Sequence, residues 1–263
     1  MKRQVMTTIH ALGVFAVLIA LWQILIWSFH LPPYMLPTPV RVAATIGERF
    51  GSLADSLAIT AEAAGGGLVM SIVAGIAIAL VFAQSPWLRR MLYPYTILLQ
   101  TVPIIAVAPL ILMWMGSGTW AVTVVAFIIC LAPIIANTTQ GLISVDQNLI
   151  HLFLMHNASP AQILFRLRLP NAMPNLFTGI RISAGIAVIG AITGELFAGS
   201  TRVGQGGLGY SILYATAQLQ TAYLFALVIA ATVLGFAFFF IVMFVEWYFL
   251  HNWHESARAG EVV

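Results

Sequence analysis

The run AAGGGLVMSIVAGIAIALVFAQ, Ala63 to Gln84, decides how the rest of the chain is read. It carries no ionisable side chain. As a helix rising about 1.5 Å per residue, it is long enough to cross about 30 Å of hydrocarbon. Ala63, Gly67, Ser71, Gly75 and Ala79 recur along it at every fourth position. Small side chains at that spacing let helix backbones approach closely where lipid supplies no hydrophobic drive. The plainest reading of the ridge is packing inside a helical bundle.

Runs of similar character lie on both sides, at 8–29, 92–115, 119–136, 176–198 and 224–250, so six spans are expected. The fifth repeats the small-residue ridge at Gly179, Ser183, Ala187 and Ala191. Composition agrees. The 263 residues are 61% hydrophobic and 7% charged, whereas soluble domains carry about 25% charged residues. A chain this apolar has lipid as its main solvent. The first run is too long for a signal-peptide core and lacks a small-residue cleavage site, so a retained span is expected. Eleven Lys and Arg and a net charge of +3, dispersed beside the spans, exclude a nucleic-acid patch. Cys130 is the single cysteine, which excludes a disulfide framework and a cysteine metal site. The six histidines show no ligand spacing with carboxylates, and no metal is assigned.

Orientation follows from the cations. With both termini cytoplasmic, Lys2, Arg3, Arg89, Arg90, Arg166, Arg168 and Arg258 share one side, and Arg41, Arg49 and Arg202 the other. The excess belongs inside. Three segments result: an N-terminal span and outer elbow over 1–62, a core over 63–250, and a cytoplasmic tail over 251–263. In the first, Val40 to Asp55 reads as an amphipathic elbow lying at the interface. The core contains a cytoplasmic loop at 137–175. The third span, with Pro94, Pro103 and Pro109, is expected to kink beside protein or a cavity. Gln100, Pro103, Pro109 and Trp114 on this side, with Thr193 and Glu195 from the fifth span, are the pathway candidates. For Arg181, Glu195 and Glu246 an interfacial or helix-pairing role is expected ahead of a proton relay. Gly204, Gly206 and Gly209 fit G-x-G-x-x-G, but no βαβ unit surrounds them; they read as an outer loop or re-entrant turn. There is no Walker A pattern and no catalytic pair, so an enzyme is not expected. An ion-coupled transporter or channel is the rival class, but no midplane ionisable group or internal repeat supports it.

The 137–175 loop holds two short helical stretches, 144–156 and 159–168, separated at Asn157, a residue that tolerates the left-handed conformation. Ser159 is positioned as an N-cap and Pro160 at the first helical position. Ile163, Leu164 and Leu167 form an apolar side flanked by Arg166 and Arg168, and Leu169-Pro170 is expected to end the stretch. This segment resembles the EAA loop of ABC-importer permeases, E-A-A-x-x-x-G followed by I-x-L-P. Asn157 stands at the glycine position, and Leu167, Leu169 and Pro170 match the end. His151, Leu152 and Phe153 stand where the family has E-A-A. Leu98 to Trp114 followed by Gly116, Leu36 to Val40, Gly194 to Ala198 and Gly207 to Tyr210 resemble the nitrate/sulfonate/taurine permease group. Bicarbonate and pyrimidine or riboflavin-precursor carriers share that group.

The resemblance implies a type I importer permease of the inner membrane, an all-α bundle of about six transmembrane helices. It also implies a homodimer, a pair of ABC ATPase subunits carrying ATP and Mg, and an extracytoplasmic substrate-binding protein. No cofactor would be bound by this chain itself. Carried over by position, Asn157, Ala158, Ser159, Pro160, Ile163, Leu164, Arg166, Leu167, Arg168, Leu169 and Pro170 would form the ATPase-coupling surface.

Overall fold

The computed structural model describes residues 2–199 and 206–251, and within these every regular element is a helix. The chain opens with α1 (Lys2–Phe29), the elbow α2 (Pro39–Glu48) and α3 (Phe50–Gln84). Next come α4 (Pro86–Thr101), α5 (Ile104–Met115) and α6 (Thr119–Ile143). The loop carries α7 (Gln147–Met155) and α8 (Pro160–Ile163), followed by α9 (Leu169–Ala198), α10 (Leu208–Ala217) and α11 (Thr221–Leu250). Among the described residues four helices are long and apolar enough to cross a membrane: Phe50–Gln84, Thr119–Ile143, Pro160–Ala198 and Thr221–Leu250. The bent pair α4 and α5 makes up to one more, and Gly13–Phe29 is a shorter apolar helix.

α6 is the centre of the bundle, packed along α3 on one side and α9 on the other. Both small-residue ridges face it. Ala63, Gly67, Ser71, Gly75 and Ala79 are buried, as are Gly179, Ser183, Ala187 and Ala191. A methyl group on Gly67 would sit 2.9 Å from the Thr123 carbonyl oxygen, and one on Gly190 would sit 2.9 Å from the Cα of Ala126. Those crossings therefore require glycine. Hydroxyls reinforce them: Ser71 donates 2.8 Å to the Phe127 carbonyl, and Ser183 donates 3.0 Å to that of Cys130. Bonds between helices compensate where lipid offers no partner.

Three expectations change. The elbow ends at Glu48, and α3 begins at Phe50, because Leu53, Ser56, Thr60 and Ala63 already give it a buried stripe at helical spacing. Asp55 and Glu62 are exposed, so they do not interrupt the helix. The third span is two helices bent by 99°. Val102, preceding a proline, is held extended by the proline ring, and Pro103 leads α5. Pro94 and Pro109 stay inside their helices. Finally, Leu169-Pro170 does not end a helix. Residues 164–168 form a π-helical turn in which the Leu169 N–H donates to the Leu164 carbonyl, five residues back. The wider turn makes room for a ring that would otherwise clash with the preceding turn. Pro160 to Ala198 is therefore one continuous helix of 39 residues.

Arg202, Gly204, Trp253, His254 and Arg258 lie outside the described residues.

Candidate functional site

Three places on the long helix Pro160–Ala198 concentrate chemistry. The first is its beginning. Asp146 caps α7 by accepting from the Asn148 N–H at 2.8 Å. The far end of α7 closes in a Schellman motif: Ala158 N–H donates to the Phe153 carbonyl at 3.0 Å and Asn157 N–H to that of Leu154 at 2.9 Å. Asn157 has φ +55°, the left-handed conformation that this motif demands and asparagine tolerates. Ser159 then opens the next helix with a full capping box. Its hydroxyl accepts from Gln162 N–H at 3.3 Å, and its own N–H donates to Gln162 Oε1 at 2.7 Å. Two helices are thus joined by a corner in which the N–H groups of His156, Asn157, Ala158, Ser159 and Gln162 all have partners.

The side chains at this corner divide into two sets. Ile163 and Leu164 are buried, with Leu164 packed against Ala79, Ala83, Leu142 and Ala172. Leu167 is half-buried. Arg168 turns inward and donates 2.8 Å to the carbonyl of Ala83, in the last turn of α3. Asn171 reaches the Gly141 carbonyl near the end of α6 at 3.3 Å. The corner is therefore tied to the ends of two spanning helices. The outward set is mainly apolar and exposed among the described residues: Leu152, Leu154, Met155 (80% exposed) and Phe165, with Arg166 and His151 among them. Arg166 and Arg168, neighbours in sequence terms, thus face different tasks.

The second place is the middle of the helix. Ile182, Ile186 and Ile189 line a cavity of about 430 Å³ together with Gln100, Asn137 and Val107. It lies beside the 99° break, since Val102 and Ile104 also border it. Asn137 donates 2.8 Å to the carbonyl of Pro133. Among the residues lining the cavity there is no charge.

The third is the end of the helix. Glu195 is 4% exposed. Its Oε2 accepts from Thr60 Oγ1 at 3.0 Å and from the Gly209 N–H at 2.8 Å. Thr60 Oγ1 in turn accepts from the Leu208 N–H at 2.8 Å. A carboxylate and a hydroxyl thus satisfy the first N–H groups of α10, where the helix dipole also favours negative charge. A Cβ on Gly207 would overlap the Glu195 carboxylate, so glycine is required at that approach. Ser56 and Ser211 hydroxyls, 2.9 Å apart, add a second polar tie between α3 and α10. A separate cavity of about 320 Å³ borders Glu195, Ser117 and Thr119.

The pathway candidates do not converge. Gln100 lines the central cavity and Glu195 the terminal one. Pro103, Pro109 and Trp114 are exposed. Thr193 bonds within its own helix, to the Ile189 carbonyl at 2.8 Å. Asn137 was missed by sequence reasoning, which ended the span at 136 because Asn137 opens the polar run Asn-Thr-Thr-Gln; α6 continues through it to Ile143. α10 was also missed; Leu208, Ser211 and Ala215, all buried, gave it a helical stripe. Arg181 pairs with Glu246, joining α9 to α11. Among the described residues no cluster of His, Cys, Asp or Glu could hold a metal ion.

Comparison with known proteins agrees with this architecture. Residues 71–249 match the family described as "Binding-protein-dependent transport system inner membrane component". The formylaminopyrimidine transport permease protein ThiX of Halalkalibacterium halodurans is 32% identical over 222 residues, covering 84% of this chain and 86% of that protein. The putative aliphatic sulfonates transport permease protein SsuC of Bacillus subtilis is also 32% identical over 222 residues, 84% of this chain and 79% of its own. The MetNI methionine ABC transporter, solved in inward-facing conformations, shares the fold. There the TM-score is 0.52 at 24% identity, with 74% of this chain and 94% of that one covered. The chain belongs to the binding-protein-dependent inner-membrane permease family, the non-enzymatic subunit of ABC importers whose ATPase is a separate polypeptide.

Proposed function

We propose that this permease is driven at the corner 146–170 and conducts solute past the cavity bordered by Gln100 and Asn137. The observation that carries the reading is the unbroken helix Pro160–Ala198. Its first turns belong to the corner, its middle lines the central cavity, and its last turn holds Glu195. At about 1.5 Å per residue it is on the order of 58 Å long. A displacement at one end is therefore delivered to the other by a rigid element. Arg168 and Asn171 would carry α3 and α6 along with it.

In this account the outward set Leu152, Met155, Phe165 and Arg166 seats in a groove of the ATPase, on the cytoplasmic side. ATP and Mg are held by that partner. Closure of the ATPase pair pushes the corner, and the cavity alternates between facing the cytoplasm and facing a substrate-binding protein outside. Such coupling requires that the two permease states differ in their contacts with the ATPase, by a few kcal/mol. A second copy of this chain would close the open side of the central cavity, making a homodimer with one passage. Both termini would then be cytoplasmic.

The solute is a neutral organic molecule in this reading. The cavity wall offers two amides and no Lys or Arg, so it has nothing to neutralise an anion stripped of water. Overall identity does not discriminate here, because relatives named for a formylaminopyrimidine and for aliphatic sulfonates match equally well.

The test uses the assembled complex carrying Phe165→Asp with Arg166→Ala. Both side chains are exposed, so folding is preserved. Uptake and transport-stimulated ATP hydrolysis fall at least about tenfold if the corner is the drive surface, the equivalent of about 1.4 kcal/mol. Normal uptake by a properly assembled double variant would refute the assignment.

A further inference from the structure

Between the beginning of α4 and the last turns of α6 lies a cavity of about 260 Å³ whose wall is mostly apolar, with Pro94 and Ile143, and carries two arginines at its border. Arg89 and Arg90 border it from the start of α4, with Tyr93 one turn on; Thr139 and Gln140 border it from α6. Neither arginine has a carboxylate partner among the described residues, where the ion pairs are Arg41–Glu48 and Arg181–Glu246. Thr139 is 1% exposed, and its hydroxyl lacks a hydrogen-bond partner. Thr123, Thr193, Thr216 and Thr232 bond back to the carbonyl four residues earlier, whereas Thr139 and its buried neighbour Thr138 both lack a partner. A buried hydroxyl left unpaired costs about 1–3 kcal/mol.

The carbonyls that end α6 would oppose an anion, but two of them are already engaged. Gln140 O accepts from the Ser144 N–H, and Gly141 O from Asn171. The pocket thus offers two guanidinium groups, a phenol and an amide beside the apolar Pro94 and Ile143, with the Thr139 hydroxyl buried behind them. Guanidinium forks match the geometry of phosphate oxygens. On the adjoining face of α4, Trp87, Met91, Tyr95 and Leu98 are spaced along one stripe and are exposed. That stripe runs from the arginines toward the interior of the apolar span.

We infer that this pocket binds the phosphodiester headgroup of an anionic phospholipid, with its acyl chains laid along the Trp87–Leu98 stripe. Basic pockets between membrane helices are suited to such headgroups. The binding would clamp the first turn of α4 to the end of α6, next to the corner that Asn171 ties down. The site is independent of which solute is carried and of where the ATPase docks.

Native mass spectrometry of the detergent-purified transporter complex tests it, with phosphatidylglycerol, phosphatidylcholine and inorganic phosphate as separate probes. One phosphatidylglycerol per permease copy is expected to survive activation that strips phosphatidylcholine. Its occupancy should fall at least tenfold in R89Q/R90Q. Millimolar inorganic phosphate should not displace it. Equal retention of the anionic lipid by wild type and R89Q/R90Q would overturn the proposal. Displacement by inorganic phosphate would overturn the lipid assignment in favour of a soluble anion. Should the double variant fail to fold, R90Q alone changes only the exposed arginine, and an occupancy loss of about threefold is expected. An unchanged occupancy in R90Q would count against the site.

Discussion

The two ends of the helix Pro160–Ala198 are built on opposite principles. At its beginning Ser159 and Gln162 close a capping box, while the apolar side chains Met155 and Phe165 are exposed and uncovered by any of the described residues. At its end the polar groups are the buried ones, and Glu195, Thr60 and the N-terminus of α10 close on each other. An exposed apolar surface on a well-ordered corner is what an interaction site needs. The polar cluster ties α3, α9 and α10 together, although Glu195 also borders the 320 Å³ cavity. In the proposed function, recognition belongs to the first end and cohesion to the second.

The contrast can be broken in order of expected effect. Glu195→Ala should be the most damaging to the fold, because it leaves the buried Gly209 N–H without its acceptor and the Thr60 hydroxyl with only the Ser56 carbonyl. A loss of about 2–3 kcal/mol is expected in a denaturation series of the purified permease. Glu195→Gln keeps an acceptor in place and should cost less than half of that. Equal losses would mean that the charge itself matters, against a purely cohesive role. Arg168→Ala removes the bond to the Ala83 carbonyl. It should lower stability by about 1 kcal/mol, and it should weaken the coupling of ATP hydrolysis to uptake more than stability alone explains. Uptake and hydrolysis falling in proportion to the folded fraction would remove Arg168 from the linkage. The smallest effect belongs to Ser159→Ala, about 0.5–1 kcal/mol for loss of an N-cap, read in thermal unfolding. A Ser159→Asp variant should restore it.

Much of this molecule was legible in the sequence, because the bilayer reduces folding to length and polarity. The ridges on the second and fifth runs marked the faces turned to α6, since only small side chains allow those crossings. Asn157 and Ser159 announced their own backbone geometry, and the corner formed where they stand. Prolines were less informative. Of Pro94, Pro103 and Pro109, only Pro103 separates two helices, and the flanking residues do not announce which proline does so. The inward turn of Arg168 was hidden for a similar reason. A cation beside an apolar stripe reads as a flank, and nothing local shows that the Ala83 carbonyl awaits it 85 positions earlier. Asp55 and Glu62 misled the start of α3, because charge marks where a helix leaves lipid and says nothing of where the helix ends.

The most direct measurement uses the chemistry of cysteine. Cys130 is the single cysteine and is buried, so M155C introduces one accessible thiol at the exposed corner. In cells expressing the whole transporter, a membrane-impermeant maleimide should leave M155C unlabelled from outside. It should label it in inverted vesicles stripped of ATPase, and rebinding of the ATPase should protect it. Labelling from the outside of intact cells, or labelling that the ATPase leaves unchanged, would contradict the account.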